Sequence, residues 1–206
     1  MPISRNISDK LKSSSWIRKM FEEGLQMKQQ YGAENVFDLS LGNPVVEPPE
    51  EVRLAIKSVA NDSGTGLHRY MPNAGLHDVR EEIARSVSSE AQTELTADHI
   101  VMVCGAAGGL NITLKTLLEP DEEVIAFSPF FVEYLFYSEN HGGKTITVPT
   151  NEDFSLNFNA LREALSPKTK AVIINSPNNP TGVVYSRKML KELASVLNKY
   201  SSDNNN

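Results

Sequence analysis

The sequence predicts an α/β fold: a three-layer α/β/α arrangement around a mostly parallel sheet, preceded by an N-terminal helical arm. Three observations predict it. The composition is that of a globular chain, with 40% hydrophobic and 22% charged residues among 206. From residue 99 onward, short apolar runs alternate with longer helical patterns, the rhythm of βαβ units. Those runs are continuously apolar rather than alternating, as strands buried on both faces are.

Each element follows from its residues. Ile17, Phe21 and Leu25 recur at helical spacing within 16–30. A short apolar run, Val36 to Leu41, ends at Gly42-Asn43-Pro44. Pro48 and Pro49 open a helix carrying Val52, Ala55, Ile56 and Val59 on one face, and 61–66 has turn composition. After Pro72-Asn73-Ala74-Gly75, a helix turns Leu76, Val79, Ile83 and Val87 inward. Ile100 to Cys104 reads as a strand, and 107–118 as a helix with Leu110, Leu114, Leu117 and Leu118 on one face. Further strands are expected at 124–127, 145–148 and 171–174, with helices over 131–140 and 159–165 between them. The last helix, roughly 186–199, turns Leu190, Leu193, Ala194 and Leu197 inward before a polar tail from Ser201 to Asn206.

Composition removes several classes of function. Lys plus Arg number 20 against 26 Asp plus Glu, a net charge of −6 with no basic run, which argues against a nucleic-acid partner. One cysteine allows no intrachain disulfide and points to a reducing, cytoplasmic setting. No apolar stretch is long enough for a membrane span, and Met1 to Ser15 lacks the apolar core of a signal peptide.

In open parallel sheets, ligands sit beyond the carboxyl ends of the strands, so the residues that follow the strands carry the information. Gly105-Ala106-Ala107-Gly108-Gly109 lies between a strand and a helix. Small residues there let backbone N–H groups close on a phosphate at a helix N-terminus, or simply allow a tight, well-packed turn. No Lys follows as a P-loop requires, and Ala107 stands where a dinucleotide fingerprint needs its second Gly. Ser128-Pro129-Phe130-Phe131-Val132-Glu133-Tyr134 places aromatics just past a strand end, able to stack on a planar heterocycle or to fill the core. Asn178-Asn179-Pro180-Thr181-Gly182 follows the last strand. It forms an ordinary turn, or one whose Asn179 amide donates to a ring oxygen. Together the three suit a flat, phosphorylated, hydroxylated ring, and pyridoxal 5′-phosphate fits better than a nucleotide.

Five segments carry a resemblance to a known family: Leu41-Gly42-Asn43-Pro44, Tyr70-Met71-Pro72-Asn73-Ala74-Gly75, Gly105-Ala106-Ala107, Ser128-Pro129-Phe130-Phe131-Val132-Glu133-Tyr134 and Asn179-Pro180-Thr181-Gly182. In order and spacing they resemble the class I/II aminotransferases, the fold-type I pyridoxal-phosphate enzymes. The resemblance implies a residue 1–45 arm and small-domain segment, then the first half of the cofactor-binding large domain over 46–206. It implies that Gly105, Ala106 and Ala107 hold the cofactor phosphate and that Phe131 stacks on the ring, where the family often has Trp or Tyr. Asn179 would bond the ring 3′ oxygen. Gly42, Phe131 and Asn179 would line the substrate, with Gly42 beside its carboxylate. Tyr70 would reach the phosphate of the other subunit of a homodimer. Cis peptides are expected at Ser128-Pro129 and Asn179-Pro180.

The family's chemistry also uses a Schiff-base lysine, an aspartate on the pyridine nitrogen, a tyrosine and a carboxylate-binding arginine, all expected after the Asn-Pro-Thr-Gly segment. Lys168, Lys170, Lys188 and Lys191 read as solvated surface charges. The expectation is therefore a truncated chain with no catalytic residue of its own. Cys104 is expected in the core, and the four histidines have no metal-ligand spacing. The leading function is a pyridoxal-phosphate-dependent aminotransferase moving an amino group from an amino acid to a 2-oxo acid. A C–S lyase or cyclase of the same fold, and a non-catalytic cofactor-site fragment or interaction module, remain as alternatives.

Overall fold

The structure is a computed structural model that describes residues 3–4, 7–8, 15–37, 39, 42, 44 and 46–204, with the backbone alone at 15–19, 21 and 204. Asp38, Leu41, Asn43, Asn205, Asn206 and the side chains of Ile17 and Phe21 lie outside the described residues. Two compact units divide the chain, Met1–Arg69 and Tyr70–Asn206.

The first unit holds α1 (Ser15–Tyr31), a single 3-10 turn (Ala33–Asn35) and α2 (Glu50–Asn61). Pro49 caps α2, and Glu50 and Glu51 in its first turn suit the positive end of the helix dipole. Glu50 also pairs with Arg53. The apolar face of α2 is not buried: Val52, Ile56 and Val59 are exposed, and no residue of α2 is buried. Phe37 and Leu39 are exposed as well. Helical spacing makes an apolar stripe but does not supply the surface that covers it.

The second unit opens with α3 (His77–Ala91). Its inward face differs from the expected one. Leu76, Val79 and Val87 are exposed, Ile83 is half-buried, and Ala84 is the buried residue. The helix packs on the 3-10 turn Ala97–His99, where Ala97 is also buried. A close approach between two short elements selects the small residues.

Ile100–Cys104 is extended but is not a strand. A strand exists only through a ladder of hydrogen bonds to a neighbour, and this segment's long-range backbone bond runs from the Met102 N–H to Ala74 O at 2.9 Å. Cys104 is exposed rather than in the core. The chain then enters α4 (Gly105–Leu117), where Leu114 is buried, Leu110 half-buried and Leu117 exposed.

The remaining elements alternate as βαβ units: β1 (Glu123–Ser128), α5 (Glu133–Glu139), β2 (Lys144–Pro149), α6 (Phe158–Ala164), β3 (Thr169–Ile173) and α7 (Arg187–Asn204). The sheet is parallel with order β2-β1-β3. Ile125 pairs with Ile146 on one side and Val172 on the other. In the central strand Val124, Ile125, Ala126 and Phe127 are all buried, as a run covered on both faces requires. On one face Val124 packs with Leu114 and Leu118 and with Tyr137 of α5. On the other, Ile125 and Phe127 join Val148, Leu156, Leu161, Tyr185, Leu193 and Val196. Helices cover both faces, which gives the three layers.

The buried face of α7 is Met189, Leu193, Val196 and Leu197, while Leu190 and Ala194 are exposed. Leu193 and Leu197 are inward as expected, while Met189 and Val196 stand there in place of Leu190 and Ala194 and share the cluster of Leu161 and Phe127. The helix also runs through the expected polar tail to Asn204, with Ser202 Oγ donating to Asn198 O at 2.9 Å.

The strand order reverses at β1. β1 leads into α5 on one face, and β3 leads into α7 on the other. Connections that leave adjacent strands toward opposite faces open a crevice beyond their carboxyl ends.

Candidate functional site

The segments after β1 and β3 meet in that crevice. The peptides Ser128–Pro129, Ser176–Pro177 and Asn179–Pro180 are cis, two as expected and the one at Ser176–Pro177 in addition. The Asn178 side chain, almost fully buried, donates through Nδ2 to Pro129 O at 3.1 Å and to Thr181 Oγ1 at 3.0 Å. At the end of β2, the Thr150 N–H and Oγ1 both donate to Ser128 O, at 3.2 and 2.9 Å. Three strand ends are thereby tied into one edge.

Phe131 sits on this edge, 38% exposed. Its ring lies 5.9 Å from Tyr134 at 85°, and Phe130 stacks on the same tyrosine at 6.1 Å. Tyr134 is buried, and that burial, with Tyr137 nearby, pushes its hydroxyl pKa up. The neutral phenol anchors the aromatic group, while part of the Phe131 ring stays open to solvent.

Asn179 is exposed. Its main-chain N–H donates to Asn175 Oδ1 at 2.8 Å, and its side-chain amide has no protein partner among the described residues. Two acceptor and two donor positions are thus available on the loop that Asn178 ties to the end of β1.

The glycine turn, expected to hold a phosphate through the N–H groups of Gly105, Ala106 and Ala107, opens α4. Gly105 has φ +69°, and its own N–H turns back to Val103 O at 3.0 Å. Ala106 and Ala107 then carry the unsatisfied N–H groups of the first turn of α4, where the dipole favours an anion. No atom lies within 4 Å of where a Gly105 side chain would begin, so the approach is open.

The Tyr70–Gly75 segment is tied to the chain before α4, where the Met102 N–H donates to Ala74 O. Gly75 has φ +98°, and a Cβ there would lie 2.4 Å from Met102 Cγ. Arg80 clips the neighbourhood together, donating to Gly75 O at 3.2 Å, Ala97 O at 2.7 Å and Ile100 O at 3.4 Å. Tyr70 itself is fully exposed. Gly42 is exposed, with open space around it, and belongs to the first unit.

The comparisons with known proteins follow this geometry. The family described as aminotransferase class I and II matches residues 34–202. The chain belongs to the class I and II aminotransferases. An aspartate aminotransferase of Pyrococcus abyssi is 36% identical over 193 residues, covering 91% of this chain and 47% of that protein. A probable aspartate aminotransferase of Methanocaldococcus jannaschii is 32% identical over 164 residues, covering 80% of this chain and 43% of its own. Among solved structures, an amino transferase of Eubacterium rectale superposes with a TM-score of 0.91 at 35% identity, over 99% of this chain and 52% of that one. The chain spans about half the length of the curated relatives it matches.

The sequence did not reveal two residues, Asn178, which ties this edge together, and Arg80, which clips Gly75 to Ala97 and Ile100. Asn178 stood inside a noted motif, but its neighbour received the chemistry. Adjacent asparagines look alike until the backbone shows which one points inward. Arg80 gave no signal, because one arginine on a helix is indistinguishable from a solvated charge.

Proposed function

We propose that this chain forms the cofactor-facing part of a pyridoxal-phosphate-dependent aminotransferase acting on an amino acid and a 2-oxo acid. The observation that carries the reading is the tied edge, with an open aromatic after β1 and an exposed amide after β3; the open N-terminus of α4 adds an anion-binding turn after the Ile100–Cys104 segment. The residues fit the group. Ala106 and Ala107 would bind its phosphate through their N–H groups, with Gly105 providing the open approach. Phe131 would stack on the ring and exclude water from that face. The Asn179 Nδ2–H would donate to the ring 3′ oxygen and hold charge there. Gly42 would bring its backbone beside the substrate carboxylate, and Tyr70 would serve the phosphate of the other subunit in a homodimer. When bound, pyridoxal phosphate supplies the electron sink for amino-group transfer.

In this reading residues 1–45 are the arm and small-domain segment and 46–206 the first half of the large domain. The single cysteine supports a reducing, cytoplasmic setting.

Calorimetric titration of the chain with pyridoxal phosphate tests the reading. Saturable binding is expected, competed by inorganic phosphate. Asn179→Ala and Phe131→Ala should each weaken it about 3- to 10-fold, the value of one hydrogen bond or one aromatic contact. Affinity unchanged in both variants would sink the proposed site.

A further inference from the structure

Asn178 holds together the two side chains that the cofactor reading uses. It is 8% exposed, and its side-chain Nδ2 and both of its main-chain polar groups are engaged in building the edge. One Nδ2 hydrogen crosses to Pro129 O, two residues before Phe131, and the other reaches Thr181 Oγ1, two residues after Asn179. Its main-chain N–H donates to Val183 O at 2.9 Å, and its carbonyl accepts the Gly182 N–H at 2.7 Å. The next residue is pinned in turn, with the Asn179 N–H on Asn175 Oδ1. The backbone on both sides of Asn179 is therefore fixed, while its side-chain amide stays unpaired and exposed.

We propose that Asn178 is the positioning residue of this site: it sets the Asn179 amide relative to the Phe131 ring and touches no ligand itself. This rests on the cofactor reading above. The chemistry requires an amide. The Pro129 carbonyl can only accept and so needs an N–H donor, the same nitrogen also donates to Thr181 Oγ1, and a carboxylate of the same shape offers neither donor. A buried donor pair made to neutral acceptors in a low-dielectric edge resists bending, which is how a second residue keeps a first one in register.

The test is a double-mutant cycle on cofactor affinity, read beside amide hydrogen exchange of the free chain. Asn178→Asp keeps the shape and removes both donors. It should weaken pyridoxal phosphate binding about 3- to 10-fold, the value of a misplaced hydrogen bond. Combined with Asn179→Ala, the loss should fall short of the product of the single losses. The pH at which the bound cofactor's 3′-oxygen absorbance changes should move in the same direction in Asn178→Asp and in Asn179→Ala. Exchange at Tyr134, Gly182 and Val183 should quicken while Ile125 and Phe127 in β1 stay protected. Thr181→Val removes one arm only. It should give the same pattern at smaller size, and it decides the matter if Asn178→Asp does not fold. Wild-type affinity in these variants, fully multiplicative losses, or lost protection throughout β1 overturns the proposal. If the wild-type chain shows no saturable binding, the cofactor reading fails, and exchange alone decides the bridge: unchanged rates at Gly182 and Tyr134 overturn it.

Discussion

Gly75 shows how one residue can be dictated by geometry. Its φ of +98° and the 2.4 Å approach to Met102 Cγ leave no room for a side chain. Gly75→Ala should cost about 1–3 kcal/mol, read as a lower urea midpoint with an unchanged slope. Asn179 is the opposite case. Exposed and without a side-chain partner among the described residues, its side chain carries nothing for the fold. Asn179→Ala should leave the urea midpoint in place while weakening cofactor binding. A midpoint shift as large as that of Gly75→Ala would show that the amide serves structure instead. At this scale the candidate site was legible where a residue type has few uses, as with a glycine turn or an aromatic after a strand. It was illegible where the role depends on what lies across the crevice. Asn178 and Asn179 have the same side chain, and only the neighbouring Pro129 carbonyl distinguishes them.

The elements were legible in proportion to how much each is buried on its own account. β1 reads as a continuous apolar run because helices cover both its faces, and the sequence located it closely. Leu161 on α6 is fully buried in the cluster with Ile125 and Phe127, so Leu161→Ala should cost about 2–5 kcal/mol in urea unfolding. Ile100–Cys104 reads equally well as a strand, but no neighbour pairs with it among the described residues. The expected stripe of α3 missed the buried Ala84 by one position, and that of α7 was right at Leu193 and Leu197 but not at Leu190 and Ala194, because partner shape chooses among adjacent apolar side chains. At the opposite end of the sheet from the site, Lys144 bridges Asp121 at 2.5 Å. The hydrogen bond from Lys144, then its charge, holds the Asp121 carboxyl below its ordinary value of 3.8. Asp121 in turn raises Lys144 above 10.5. A lowered carboxyl contributes stability above its ordinary value and loses it as pH falls through the lowered one. A raised ammonium contributes below its ordinary value and loses it as pH rises through the raised one. Lys144→Met should therefore lower the urea midpoint slightly at pH 7, with the gap to wild type closing in acid below the carboxylate range and again in strong alkali. A gap that persisted into acid would mean the lysine acts by packing. Both groups are solvent-exposed, so the effect is small.

For the molecule as a whole, the exposed apolar surface is the dominant property. Val52, Ile56 and Val59 on α2, and Val101, Met102 and Val103 on the unpaired extended segment, stand in water. Patches of this kind promote association. Sedimentation of the chain should show self-association that rises with concentration, and Ile56→Lys combined with Val101→Lys should reduce it. Monodisperse behaviour at every concentration would contradict the prediction. The sequence by itself determined the fold class, the order of the βαβ elements, the family and the strand-end segments that carry the candidate site. Each of these is written in local periodicity or in short runs of residues whose chemistry has few alternatives. Only the tertiary structure decided which apolar face of each helix is buried, that Ile100–Cys104 finds no strand partner, that the Gly105 N–H turns inward, and that Asn178 ties the ends of β1 and β3 together. Those depend on contacts between residues far apart in the chain, and a contact is a property of two surfaces that neither segment specifies alone.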